Sequence, residues 1–445
     1  MKTTSFVFSI FSSLFFFSSC ETIWPYERVD PECPVVLSIS PTGARFGEVV
    51  TITGENFYLN DKTAYEVLIN NTPIPEGNII EIDTGSQILR FSVPIGQQDG
   101  SVEVRLKNHG DICNVIGNQP SPTIFTYYYT AANVIKFGIG TPNQNACGEN
   151  CFNYPTGIDV DNSGNVYVCD KVNQVIRKFS SSGNQLEIIG KLQPFAPDCN
   201  QSPIFSKQDA RFANPLDVEV DASGDIFVAE EYSSVIRRVN SSIGVSVVTG
   251  ICFEPGSENG SCLTARLNVP YSIAKGSNII YAIDNNKIRM IDVATPCSQV
   301  TSMTLSNRSL NAPIAIAYSL ARTNSGPLYV VDQIERKIKS VNASGKVDDL
   351  VVSGNSLNEP ISIDLDNRGN IFIADKGKHQ ILVLYTNGEL ILFSGTGEKN
   401  YLDNVTGLDA KFNTPSGIAY FEQGETKVLY ISDTENHLIR KVEVL

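Results

Sequence analysis

Three histidines are all this chain offers for imidazole chemistry, and two of them occupy equivalent places. His379 and His437 each follow an acidic residue, Asp375 and Asp433, by four positions. Such equivalence marks a repeated structural position rather than a ligand, and His109 lies far off in the sequence. A zinc site needs three or four convergent ligands. None can be assembled here, so neither a metal nor a cofactor is expected. The acidic position recurs as Asp170, Glu230, Asp284 and Asp332. Six such carboxylates could ring a cation. The stronger expectation is that each caps the turn after it and pairs with a nearby base, such as Arg177, Arg237 or Arg440. Asp159, Asp217 and Asp364 could converge as in a calcium-dependent hydrolase, but they too recur at related places. No Gly-rich phosphate loop, Gly-x-Ser-x-Gly elbow or His-Glu-x-x-His run is present, and no catalytic residue is assigned.

The elements that carry these residues repeat. Pro155, Pro215, Pro270, Pro313, Pro360 and Pro415 each open a short apolar run, a turn and a second apolar run ending on the acid. Runs such as residues 165–169 and 371–374 are β-branched or aromatic and bounded by Gly, Asn and Asp, which suits strands buried on both faces. The turns at 161–164, 221–224 and 366–369 read Asp-x-x-Gly. There the Asp accepts from the backbone and the Gly closes the hairpin. A period of about 40–60 residues with three to four strands per unit predicts radially repeated sheets. Six of them make a closed propeller. Residues 133–138 read like an outer strand, while the sixth unit ends after its third. Pairing of 133–138 beside 438–444 would therefore close the ring and hide two edges.

The units resemble NHL repeats, and the last contains Asn436-His437-Leu438. The lead-ins at 210–214, 265–268 and 410–413 are similar to that family too. The resemblance covers residues 132–445 and implies a six-bladed β-propeller. Lyases of the NHL class hold zinc with histidines, a pattern these histidines do not match.

Two segments precede the propeller. Residues 1–20 have a positive start, an apolar stretch and Ser18-Ser19-Cys20, which together predict a secretory signal too short to span a bilayer. The ending resembles a bacterial lipobox, and this implies acylation of Cys20 and a membrane anchor through it. Residues 21–33 read as a linker. Residues 34–130 hold short alternating strands that predict a β-sandwich. Their Ser-Pro-x-Gly start and Val-Thr-Ile-x-Gly-x-Asn-Phe run resemble IPT/TIG domains, which have an immunoglobulin-like fold. The fold class is thus all-β.

With 34 basic against 48 acidic residues the formal charge is −14, which excludes the basic footprint of a nucleic-acid binder. Ten cysteines in an exported chain imply disulfides. Cys33 and Cys113 bracket the sandwich. Cys252 and Cys262 share one loop and form the expected local pair. Cys147, Cys151 and Cys199 fall in neighbouring loops, and Cys169 reads as a small buried residue. Acylation of Cys20 would leave an odd number, so at least one stays unpaired.

Propellers host hydrolases, lyases and binders alike. The expected function is an exported, lipid-anchored protein at the cell surface or outer membrane, whose propeller binds a glycan, peptide or protein. The alternative is a metal-dependent hydrolase or lyase of the six-bladed type. Long loops concentrate function. The unrepeated aromatics Phe152, Phe195, Tyr232 and Tyr401 are the expected ligand contacts.

Overall fold

The computed structural model describes residues 34–445 except positions 58, 71, 95–99, 107–123, 144–149, 193–197, 200–205, 241, 243, 294–298 and 319–326. Cys20, Cys33, Cys113 and Phe195 therefore lie outside the described residues.

The first unit is a sandwich of two sheets. One holds Val35–Ser40, Val49–Glu55, Ile88–Ser92 and Ile79–Asp83. The other holds Gly43–Arg45, Ile124–Tyr128, Gly100–Leu106, Tyr65–Ile69 and Thr72–Pro73. Alternation along Val49–Glu55 sends Val50 and Ile52 inward, where they are fully buried with Leu89, Phe91 and Phe125. The period of two is what turns this sequence into a half-buried sheet.

Six further sheets form a ring. Each of the first five has strands a to d in chain order, for example Pro155–Val160, Val166–Asp170, Val175–Phe179 and Gln185–Ile189 in blade one. Strand a of each blade touches strand a of the next, and that of the sixth returns to the first. In blades one, two and five, strand b is buried throughout because another blade lies on either face. Asp161 Oδ1 accepts from Ser163 and Asn165 N, both at 2.9 Å, and Gly164 takes a φ of +79° that closes the turn.

The ring closes across the chain ends. Ala131–Phe137 pairs antiparallel with Leu438–Val444, from Ala131 opposite Val444 to Phe137 opposite Ile439. This is the closure expected from the sequence. Two outer additions to the blades were missed: Asn404–Thr406 beside Ala131–Phe137, and Ser353–Gly354 beside Glu389–Ser394 in blade five.

Three residues before each repeat proline a side chain plugs the blade: Phe152, Phe212, Leu267, Leu310, Leu357 and Phe412 are all buried. The sandwich and the propeller also pack together. Val36, Phe91, Tyr128 and Tyr129 share one apolar cluster with Phe372, Ile381 and Phe393 of blade five. Among the described residues no helix is long and apolar enough to cross a membrane.

Candidate functional site

The acids that end strand b are structural. Each accepts the backbone N–H of the residue two before the repeat proline, from Asn153 to Asn413, at 2.5–3.1 Å. Four also hold a buried base: Asp170 with Arg177 at 2.6 Å, Asp284 with Arg289 and Asp332 with Lys339 at 2.8 Å, Asp433 with Arg440 at 2.9 Å. In blade two Glu230 stands 3.6 Å from Arg237. In blade five Leu382 replaces the base, and Asp375 accepts instead from the N–H groups of Asn358, Glu359 and Lys378. The histidines are joints between blades. His437 Nδ1 accepts from Tyr154 N at 3.2 Å and His379 Nδ1 from Thr414 N at 3.1 Å. Burial lowers the proton affinity of both rings, which keeps Nδ1 available as an acceptor.

Asp159, Asp217 and Asp364 stitch neighbouring strands a. Asp159 accepts from Val220 N, Asp217 from Ile273 N and Asp364 from Tyr420 N, at 2.6, 2.9 and 2.6 Å. With Glu219 and Lys275 they line a mid-channel cavity of about 160 Å³. Burial pushes Asp159 up to about 7 and Asp217 and Asp364 to about 6, with neighbouring carboxylates adding to the rise in Asp159 and Asp364. Glu219 is driven up by burial and by the same neighbours. Among the described residues no group of three or more His, Cys, Asp or Glu is placed to hold a metal ion.

Above this lies a funnel of about 290 Å³, on the face carrying the b–c and d–a loops. Its wall is the residue after each repeat proline, which all six blades supply: Thr156, Leu216, Tyr271, Ile314, Ile361 and Ser416. Blades two to five give an apolar arc, and blades six and one give hydroxyls. Those hydroxyls are already donating. Thr156 Oγ1 donates to Pro215 O at 3.2 Å, and Ser416 Oγ donates to Thr434 Oγ1, whose own proton goes to Pro155 O at 2.7 Å. The rim carries Lys171, Lys376 and Glu435. Lys171 is neutralised by Glu231 at 2.8 Å, whereas the side chains of Lys376 and Glu435, both half-buried, have no hydrogen-bond or ion-pair partner among the described residues. Asp217, Ser272 and Ser362 line the funnel and the lower cavity alike.

The expected aromatic contacts do not converge here. Phe152 is fully buried under the Arg177 guanidinium, 5.6 Å from its ring centroid, and offers no face to a ligand. Tyr401 lies against Arg440 at 4.8 Å and donates to Asp403 at 2.6 Å. Tyr232 is 57% exposed and meets Phe253 edge-on at 5.8 Å, outside the funnel lining. The expected Cys252–Cys262 pair is corrected: Cys252 bonds Cys199, with Cα atoms 5.5 Å apart, and Cys262 is bonded elsewhere. The two d–a loops flank blade two on one face, so their tips meet although 53 residues separate them. Cys151 is disulfide-bonded too. Cys169 is free and buried, as its position in strand b required.

The family described as IPT/TIG domain matches residues 34–129, and that described as NHL repeat matches residues 152–179. NHL repeat-containing protein 2 of Bos taurus is 36% identical over 83 residues, which are 18% of this chain and 11% of that protein. The Gallus gallus protein of the same name is 37% identical over a segment with the same coverage. The chain thus spans about a tenth of the length of the curated relatives it matches. A solved Bacteroides thetaiotaomicron protein of unknown function is similar at a TM-score of 0.55 and 17% identity, covering 94% of this chain and 100% of the other. An auxiliary nutrient binding protein from Bacteroides ovatus is similar at a TM-score of 0.52 and 18% identity, covering 93% and 98%. The chain is of the immunoglobulin-like-plus-propeller class. Specifically, an IPT/TIG domain precedes a six-bladed propeller of NHL repeats.

Proposed function

We propose that this chain is an exported binding protein of the cell surface, anchored by lipid at Cys20, whose propeller takes a glycan, peptide or protein ligand at the funnel. The observation that carries the reading is the funnel, built by all six blades and bearing two unpaired charges of opposite sign on its rim. A concave site with an apolar arc and few polar groups is the form of a ligand pocket. The exposed pair Tyr232–Phe253 extends the contact surface on the same face. The structural likeness to an auxiliary nutrient binding protein supports a binding role, and the Cys199–Cys252 bond supports an oxidising compartment.

Two experiments test it. Native mass spectrometry after incubation with peptide and oligosaccharide pools should show a retained species that Ile361→Arg, which fills the funnel, does not retain. Equal retention by that variant removes the funnel from the account. Cys20→Ser should release the protein from membranes or leave its leader uncleaved. Native protein free in the medium with an N-terminus other than residue 20 overturns the anchor.

A further inference from the structure

The funnel is chemically two-sided, and that asymmetry narrows what can fill it. Leu216, Ile314 and Ile361 form an aliphatic arc to which Tyr271 adds the one ring of the lining. Opposite them, Thr156 has spent its proton on Pro215 O, and Ser416 has spent its own on Thr434 Oγ1, which in turn donates to Pro155 O, so the lone pairs left on Thr156 and Ser416 can only accept. This side of the wall asks for N–H donors.

The rim adds charge. Lys376 belongs to blade five and Glu435 to blade six, the next blade round the ring. Both line the same cavity, yet they form no ion pair with each other or with any other described residue. Covering a half-buried charge strips its water, and a ligand that leaves it uncompensated loses affinity. A neutral ligand fails at both groups, and a singly charged one fails at one of them. A ligand with a carboxylate and an ammonium satisfies both.

We propose that the funnel binds short zwitterionic aliphatic peptides, the carboxylate on Lys376, the ammonium on Glu435 and the side chains on the Leu216–Ile314–Ile361 arc. This rests on the funnel being the binding site. Saccharides are disfavoured because the described wall offers a single ring, Tyr271, among aliphatic side chains, whereas sugar faces seek aromatic rings. Lys171 plays no such part, since Glu231 already holds it at 2.8 Å.

Calorimetric titration of the whole chain tests this with three probes: the dipeptide of leucine, the same dipeptide acetylated and amidated at its ends, and maltotriose. The free dipeptide should bind. Capping its ends should weaken binding about tenfold or more, as should Lys376→Gln or Glu435→Gln. Both variants lie in loops and should melt as the parent does. No binding of the dipeptide at millimolar concentration overturns the proposal, as does equal affinity for the capped form. Maltotriose binding that Ile361→Arg abolishes overturns the peptide assignment while supporting the funnel. Dipeptide binding that Ile361→Arg leaves intact overturns the funnel itself.

Discussion

The phenol of Tyr129 donates a 2.6 Å hydrogen bond to Asp366 Oδ2 in the turn between strands a and b of blade five. Its ring stacks on Phe372 with centroids 5.7 Å apart. Tyr129 follows the last strand of the sandwich, so this contact joins the two folds where the chain passes between them. Burial and the Asp366 charge raise the phenol far above its usual range, and it stays a donor at any working pH. The sandwich and the ring share a core rather than a hinge.

Tyr129→Ala should therefore lower stability by about 3 kcal/mol or more, while Tyr129→Phe, which keeps the ring, should cost about 1 kcal/mol. Denaturant unfolding measures both. Equal and negligible effects would show that the sandwich hangs loosely from the propeller.

The buried pairs make a second prediction. Arg177 sits 2.6 Å from Asp170 and donates also to Cys151 O at 2.9 Å. Arg237 stands 3.6 Å from Glu230, with its Nε and Nη2 lacking hydrogen-bond partners among the described residues. Removing one member of a tight buried pair costs about 3–5 kcal/mol. Arg177→Leu should approach that figure and Arg237→Leu should cost less, in the direction of blade five, which carries Leu382 there. A reversed order of melting temperatures contradicts this.

Much of this was legible before any coordinates. The proline period, the Asp-x-x-Gly turns and the outer strand before the first repeat fixed six blades and their closure, because each is a local signal repeated. That the acids and His379 and His437 are structural followed from equivalence alone, whereas the lead-in N–H groups they accept from did not. Phe152 was misread because its lead-in lacks the Ala-Arg of its counterparts, although its offset from Pro155 matches that of Phe212 from Pro215. The funnel residues escaped notice for the opposite reason: Thr156, Leu216, Tyr271, Ile314, Ile361 and Ser416 share a position but range over hydroxyl, aliphatic and aromatic side chains. That variability on a conserved frame is itself the signal of a site. The Cys199–Cys252 bond and the Tyr129–Asp366 contact depend on which loops meet in space, which spacing does not encode.

Stability should depend on pH through the channel carboxylates. Asp159 is raised by burial from 3.8 to about 7, and Asp217 and Asp364 to about 6. The folded state thus holds protons that the unfolded chain gives up near pH 4. Their contribution is full below that pH and is lost as pH rises through 6 to 7. Asp349, held down to about 2 by Arg308 and Lys337, acts oppositely and only in stronger acid. The melting temperature should be higher at pH 5 than at pH 8, and Asp159→Asn should shrink the difference. A melting temperature that climbs steadily to pH 8 would count against the buried cluster.

The Cys199–Cys252 bond spans 53 residues, for which chain entropy gives a stabilisation of about 4 kcal/mol as an upper figure. Replacing both cysteines by serine should lower the denaturation midpoint markedly. Cys262→Ser should leave the Cys199–Cys252 bond intact in a peptide map, and a Cys252–Cys262 peptide in the native map would refute the assignment.

Equilibrium titration of three variants, Ile361→Arg in the funnel wall, Tyr232→Ala on the loop face and Ser223→Arg on the a–b turns of the opposite face, addresses the ligand site most directly. The titrant is whichever species the native protein retains from the peptide and oligosaccharide pools. The expected result is a loss of tenfold or more, about 1.4 kcal/mol, for Ile361→Arg, a smaller loss for Tyr232→Ala and none for Ser223→Arg. Undiminished affinity in Ile361→Arg, or loss confined to Ser223→Arg, would contradict a ligand site in the funnel.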